Sequence, residues 1–196
     1  MRALLVLAAI TLLVGGAGWA SGGALPGDVA LTQGLQAALG SAPPWAFALT
    51  RSAVLPLAGA TVVLAAMLGW WLRGVSGSAA VLVAYGLALA ADKALRAVLF
   101  VPRPAEPLVA VAAPSASSGL PSTFGLVYGA LFGLALQADA TSARMIAASA
   151  IITGAAARIV LGGHWPSQMI ASLCAGALLA LLALRGITAL ARIRSG

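Results

Sequence analysis

The sequence predicts an all-α fold, a polytopic membrane bundle of about six helices, and three observations carry that prediction. Of 196 residues, 62% are hydrophobic and 8% charged, against about 45–50% and about 25% in a soluble domain. Mean hydropathy is +1.05. Six apolar stretches, 3–20, 53–72, 78–99, 121–137, 143–162 and 166–184, approach the roughly 20 residues that one crossing needs. So few charges cannot cover a water-soluble globule, and so apolar a chain is not disordered. Cys174 is the single cysteine, which excludes a disulfide scaffold. The length fits one domain, 1–196.

The first stretch, 1–20, has two readings. Arg2 before an apolar run, with Gly18-Trp19-Ala20 at its end, matches a signal peptide with a small-residue cleavage site. The run is also long enough to span, and it is read as a retained helix. In the long loop 21–50, Val29, Leu31, Leu35, Ala38 and Leu39 suit a short amphipathic helix lying in the interface. The fourth stretch is short, and it carries Gly125, Gly129 and Gly133 at four-residue spacing. That stripe lets a second helix approach closely. The alanine-rich fifth stretch invites the same packing.

Basic residues set the expected orientation. Six passes with both termini in the cytoplasm put Arg2, Arg73, Arg144, Arg185, Arg192 and Arg194 inside. Arg51, Lys93, Arg96, Arg103 and Arg158 then lie at the outer face. Charge at that depth is costly unless it meets a partner or a water-filled cavity. The net charge of +7 is not a nucleic-acid signature, because the basic residues form no run. Anionic lipid or phosphate is the natural partner. No metal or other cofactor is expected: His164 is the only histidine and the four acids lie far apart. No broken helix pair or chain of intramembrane carboxylates suggests a transporter.

Three clusters fall on the expected outer face: Arg96 to Pro104, Gly119 to Phe124, and Arg158 to Gln168. Taken singly, each has an ordinary reading. Arginines snorkel to headgroups, Asp92 can pair with Arg96 across one helical turn, and Pro121-Ser122 is a common helix start. Together they suit an anion. Arginine grips phosphate through a fork of donors. A helix beginning at Pro121 would offer the backbone N–H groups of Ser122, Thr123 and Phe124. His164 could attack phosphorus and form a phosphohistidine that water hydrolyses, with no metal required.

In order and spacing these clusters resemble the type 2 phosphatidic acid phosphatase superfamily of integral membrane lipid phosphatases. Its first motif, Lys-x6-Arg-Pro, is matched by Arg96, six residues, then Arg103-Pro104. Its second, Pro-Ser-Gly-His, is matched by Pro121-Ser122-Thr123-Phe124. Its third, Ser-Arg-x5-His-x3-Asp, is matched by Ala157-Arg158, five residues, His164, three residues, Gln168. The resemblance implies His164 as nucleophile, with Arg103 and Arg158 gripping the phosphate beside it. It implies Arg96 and Ser122 as phosphate-binding, Arg96 standing where the family has lysine; Thr123, which stands where the family has glycine, is expected to bind phosphate through its backbone N–H at the helix start. It implies Gln168 as the residue that orients the nucleophile.

The departures bear on the chemistry. Phe124 stands where the family has the histidine that protonates the leaving group, and it cannot move a proton. Gln168 stands for the orienting acid; it can accept a hydrogen bond but brings no charge. Loss of a general acid costs about 10²–10⁴ in rate. A diphosphate suffers least, because its leaving phosphate has a second pKa of about 6. The expected activity is hydrolysis of a phospholipid or polyprenyl phosphate or diphosphate, undecaprenyl diphosphate for example. The expected place is a bacterial inner membrane, with the site facing the periplasm. The alternative is a catalytically silent protein on the same fold that holds a phospholipid headgroup.

Overall fold

The computed structural model describes residues 1–112 and 114–195, with side chains described as far as Ile193; the Arg194 side chain lies outside them. The regular structure of the described residues is helical, with α-helices α1 (Arg2–Ala20), α2 (Asp28–Leu39), α3 (Pro44–Thr50), α4 (Leu57–Val98), α5 (Thr123–Phe132), α6 (Thr141–Val160) and α7 (Pro166–Ser195). Among the described residues, α1, α4, α6 and α7 are long and apolar enough to cross a membrane. The protein is an integral membrane helix bundle.

α4 is a hairpin rather than one rod. Helical geometry fails at Arg73 (φ −143°, ψ 17°) and Gly74 (φ 60°, ψ −149°). Gly74 takes the left-handed backbone that only glycine enters freely. A Cβ on Gly69 would lie 2.8 Å from the Gly77 carbonyl oxygen. Eight residues apart in one straight helix, these positions would be about 12 Å distant. The two arms therefore fold back face to face, and they supply the expected second and third passes.

α5 is the axis of the bundle, with every residue from Phe124 to Phe132 buried. Its glycine stripe meets α7 backbone to backbone. A Cβ on Gly129 would fall 2.2 Å from the Leu173 carbonyl oxygen, and one on Gly176 would fall 2.2 Å from that of Leu126. The stripe is thus structural, as its spacing indicated. α5 is also shorter than the expected fourth pass. It begins at Thr123, with Ser122 as its N-cap accepting from the Gly125 N–H at 3.3 Å, and it continues through Gly133 into a 3-10 turn ending at Gln137.

The loop 21–50 holds two helices, α2 and α3, where one amphipathic helix was expected. Gly40 (φ +84°) and Pro43-Pro44 separate them. Both pack on the end of the bundle where α6 stops and α7 starts. Gln36 donates to the carbonyls of Ala110 and Val160 at 2.8 and 2.9 Å. The buried Asp28 carboxylate accepts from the Ser167 backbone N–H at 2.9 Å and the Ser167 hydroxyl at 2.6 Å. It therefore binds the positive first turn of α7.

A side chain at Gly129 has nowhere to go, whereas none of the surrounding packing reaches Gly16 within 4 Å. Gly129→Leu is expected to lower stability by at least about 1–3 kcal/mol, the usual cost of overpacking. Gly16→Ala is expected to be neutral or stabilising. Thermal unfolding of both variants in detergent checks this, and equal melting temperatures would contradict the packing described.

Candidate phosphate site

The three sequence clusters meet at one end of the bundle. α6 ends at Val160, and Gly162 (φ +65°) reverses the chain in a left-handed turn. Ala110 lies across that turn so closely that a Cβ on Gly162 would sit 2.3 Å from its carbonyl oxygen. The reversal sets His164 between the last turn of α6, which carries Arg158, and the first turn of α7.

His164 is fully buried. Its Nδ1 lies 2.8 Å from the Gly119 carbonyl oxygen, and its Nε2 lies 3.0 Å from Nη1 of Arg103. A carbonyl only accepts and a guanidinium only donates. Nδ1 therefore carries the proton, and Nε2 presents its lone pair. Burial, then the charges of Arg103 and Arg158, push the imidazole pKa well below 6.5; the Gly119 bond opposes them and Arg96 adds a smaller push. The ring is thus neutral at physiological pH, with no proton on Nε2.

Arg103 spends its whole fork on the protein. Nε donates to the Ser117 carbonyl (2.8 Å), Nη1 to the Gly163 carbonyl (2.6 Å) and His164, and Nη2 to the Ser117 hydroxyl (2.9 Å) and Ser118 carbonyl (3.1 Å). Burial and the neighbouring Arg158 and Arg96 charges lower its pKa to about 10, with Asp92 opposing, so it stays cationic. Arg96 donates to Asp92 (2.9 Å), the carbonyls of Ser118 and Pro121 (2.6 Å each) and the Thr123 hydroxyl (3.2 Å). Thr123 in turn donates to Asp92 at 3.0 Å.

Arg158 is different. Its Nε is buried without a hydrogen-bond partner, and no protein acceptor meets the rest of its guanidinium among the described residues. It lies against the residue before the imidazole, since a Cβ on Gly163 would be 2.9 Å from its Nη2. Gly163 is thus held between Arg158 on one side and Arg103, which takes its carbonyl, on the other. Beside Arg103 an open cavity of about 510 Å³ leads outward past Ser117 and Glu106.

Other expected site residues sit differently. Gln168 makes no hydrogen bond to His164; the Gly119 carbonyl occupies Nδ1 instead. Gln168 accepts from the Trp165 N–H at 3.1 Å, a capping contact on α7, and donates to the Pro102 carbonyl at 2.8 Å. It also packs beneath Gly119, where a Cβ would fall 2.6 Å from its Nε2. It acts on the imidazole through backbone, at one remove. Ser122 is fully buried, and its N–H, expected to be free, donates to the Ser172 hydroxyl oxygen at 2.8 Å. Phe124 stacks on Tyr128 with centroids 4.0 Å apart and fills the space left by Gly154, one turn below Arg158. It is a core residue. Lys93 is exposed and bonds to none of these groups. Sequence reasoning missed Gly119 and Asp28, because a backbone carbonyl and a capping carboxylate far along the chain leave no spacing signal.

No family model matches the sequence, and no curated protein does. A solved structure does match: the first transmembrane PAP2 type phosphatidylglycerolphosphate phosphatase from Bacillus subtilis, at 17% identity and TM-score 0.65, over 95% of this chain and 96% of that one. The chain has the fold of a PAP2-type membrane phosphatase. Its all-helical architecture and membrane-spanning character agree with that likeness.

With the imidazole pKa lowered in the fold, the unfolded chain binds more protons below about pH 6.5. The stabilising effect of a neutral His164 is therefore fully present above that pH and is lost as pH falls through the lower folded value. Melting temperature in detergent is expected to drop below pH 6.5 in the native protein and to drop less in His164→Gln. Parallel curves would mean that the imidazole is not held neutral.

Proposed function

We propose that the protein is a membrane lipid phosphatase that transfers a phosphoryl group from a lipid phosphate or diphosphate to His164 and then to water. The observation that carries this reading is the half-buried Arg158 guanidinium, whose Nε is buried and without an acceptor, beside a neutral imidazole. A buried charge without a partner costs several kcal/mol, and a phosphate supplies what it lacks. Three guanidiniums and one carboxylate, Asp92, leave the cluster two charges positive, matched to a phosphoryl dianion.

The steps follow from the donors. A phosphate meets Arg158 first, since Arg103 has no free N–H and Arg96 has one. Arg103 then turns its Nη1 from Nε2 onto a phosphoryl oxygen, which frees the lone pair. Nε2 attacks phosphorus in line, the N–P bond forms, and the bond from phosphorus to the leaving oxygen breaks. The developing imidazolium is steadied by the Gly119 carbonyl on its Nδ1 proton. Water then attacks the phosphohistidine and releases phosphate. No histidine or carboxylic acid stands at Phe124 to protonate the leaving oxygen. That favours a lipid diphosphate, whose leaving phosphate needs no proton.

We assign this site to the non-cytoplasmic face of a bacterial inner membrane, a reading that the resemblance in motif and fold supports. The arrangement of charge agrees: Arg2, Arg73, Arg144, Arg185 and Arg192 all fall at the opposite end of the helices, the side where basic residues accumulate.

Phosphate release by the purified protein tests the proposal. A polyprenyl diphosphate is expected to turn over about 10²–10⁴ faster than phosphatidic acid, the span that a general acid supplies. Arg158→Gln is expected to lose about 10²–10³ in kcat, and His164→Ala to abolish turnover. Equal rates on the two lipids would contradict the leaving-group argument. Lipid binding with no turnover on any substrate would support the silent binder instead.

A further inference from the structure

The turn that carries His164 joins two helices that pack mainly on others, α6 on α3 and α5, α7 on α5, α1 and α4. What ties the two ends of that turn together is α2. Asp28, Thr32 and Gln36 stand on one face of α2 at four-residue spacing, the first two buried and Gln36 half-buried. At one end of the turn, the carbonyl of Val160, the last residue of α6, accepts from Gln36 Nε2 at 2.9 Å. At the other, the N–H and hydroxyl of Ser167, in the first turn of α7, donate to the Asp28 carboxylate at 2.9 and 2.6 Å. Helices leave backbone carbonyls unpaired at their C-termini and N–H groups unpaired at their N-termini. One helix thus caps two others across residues 161–166, and its two capping residues lie about 12 Å apart along the axis at 1.5 Å per residue.

Gln36 also reaches the chain that follows Arg103. Its Nε2 donates to the Ala110 carbonyl at 2.8 Å, and its Oε1 accepts from the Ala110 N–H at 3.2 Å. Ala110 is the residue that Gly162 turns against, and the Ala112 N–H donates to the Leu161 carbonyl at 3.1 Å. We infer that α2 is a splint for the imidazole: Asp28 and Gln36 are positioning residues that fix the backbone on both sides of His164, and so hold Nδ1 on the Gly119 carbonyl with the Nε2 lone pair facing the arginines. As the aiming of a nucleophile this rests on the phosphatase reading; as the setting of a tautomer it does not. A free imidazole prefers its proton on Nε2. The Gly119 carbonyl, 2.8 Å from Nδ1, reverses that preference, and it does so only while the backbone that carries the ring stays in place. Among the described residues neither Asp28 nor Gln36 bonds to the ring, so each acts on it through backbone.

His164 is the only histidine in the chain, so its ring nitrogens can be read without assignment. The full-length protein is labelled with ¹⁵N-histidine, purified in detergent without a histidine tag, and its imidazole nitrogens are recorded by NMR at neutral pH. The native protein is expected to show one species, protonated at Nδ1 and bare at Nε2. Gln36→Met keeps the volume and loses all three hydrogen bonds; Asp28→Asn keeps the shape and loses the charge on α7. Each variant, and the double variant more strongly, is expected to add a second species with its proton on Nε2. On a polyprenyl diphosphate, kcat is expected to fall about 10–10²-fold, the cost of a slightly misplaced reacting group, with KM little changed. Thr32→Val is the control on the same face, since the Thr32 hydroxyl bonds only within α2, to the Asp28 carbonyl at 2.8 Å. It is expected to keep both the native resonances and the native kcat.

Native resonances in a folded double variant would overturn the inference, because a variant that is merely less stable keeps the native tautomer in its folded fraction. If the double variant does not fold, the two single variants are read in its place, and native resonances in both would overturn it equally. If the second tautomer emerges in the variants although the native protein turns over no lipid, the splint stands and the phosphatase reading falls. If the native protein turns over lipid and the variants keep its resonances and its kcat, the phosphatase reading stands and the splint falls.

Discussion

Everything at the site end follows from like charges forced together. Arg96, Arg103 and Arg158 converge on one buried imidazole, with Asp92 as the one carboxylate in contact among the described residues. Guanidiniums this close repel one another, and burial strengthens the repulsion because the local dielectric is low. The fold holds two of them with carbonyl oxygens from Ser117, Ser118, Pro121 and Gly163. Carbonyl dipoles reduce the repulsion without cancelling the charge. The third, Arg158, has a buried Nε that meets no acceptor. A bound anion would offset the repulsion, which is why the proposed function gives Arg158 the phosphate.

The same carbonyls fix the chemistry of the imidazole. A carboxylate on Nδ1 would orient the ring and also raise its pKa. The Gly119 carbonyl orients it just as firmly but adds no net charge. The result is a ring locked in one tautomer and kept neutral by burial and by the surrounding arginines. Its lone pair is meanwhile covered by Arg103. In the proposed reaction a phosphate would draw the guanidinium away and free the lone pair, so binding and activation would be one event. Gln168 supports the arrangement from below by fastening Trp165, Pro102 and the underside of Gly119.

Much of this was legible in the residues. Composition alone gave the membrane bundle, and the Gly125, Gly129, Gly133 spacing gave the α5–α7 contact, because both depend on patterns local to the chain. The two motif spacings around Arg96–Arg103 and Arg158–His164 pointed to side chains that the fold does bring together. The start of α5 was misplaced by two residues, since Pro121 fits a helix start but Ser122 has the hydroxyl that caps. Gln168 was assigned to the imidazole because its position matches an acid, yet its amide finds better partners in backbone. Gly119 was invisible: its contribution is a carbonyl, which every residue possesses, and only tertiary structure decides where it points. Asp28 reaches α7 across 139 residues, and no spacing rule foresees that.

The central claim is that the cluster around His164 binds a phosphoryl anion through Arg158. Titration with orthovanadate, which copies the geometry of a phosphoryl group under attack, tests it without a lipid or a turnover assay. Followed as melting temperature in detergent, a saturating excess of about 100 times Kd is expected to add about 2.7 kcal/mol of stability by mass action, and Arg158→Gln is expected to lose that gain. No rise in the native protein, or an equal rise in Arg158→Gln, would contradict the account.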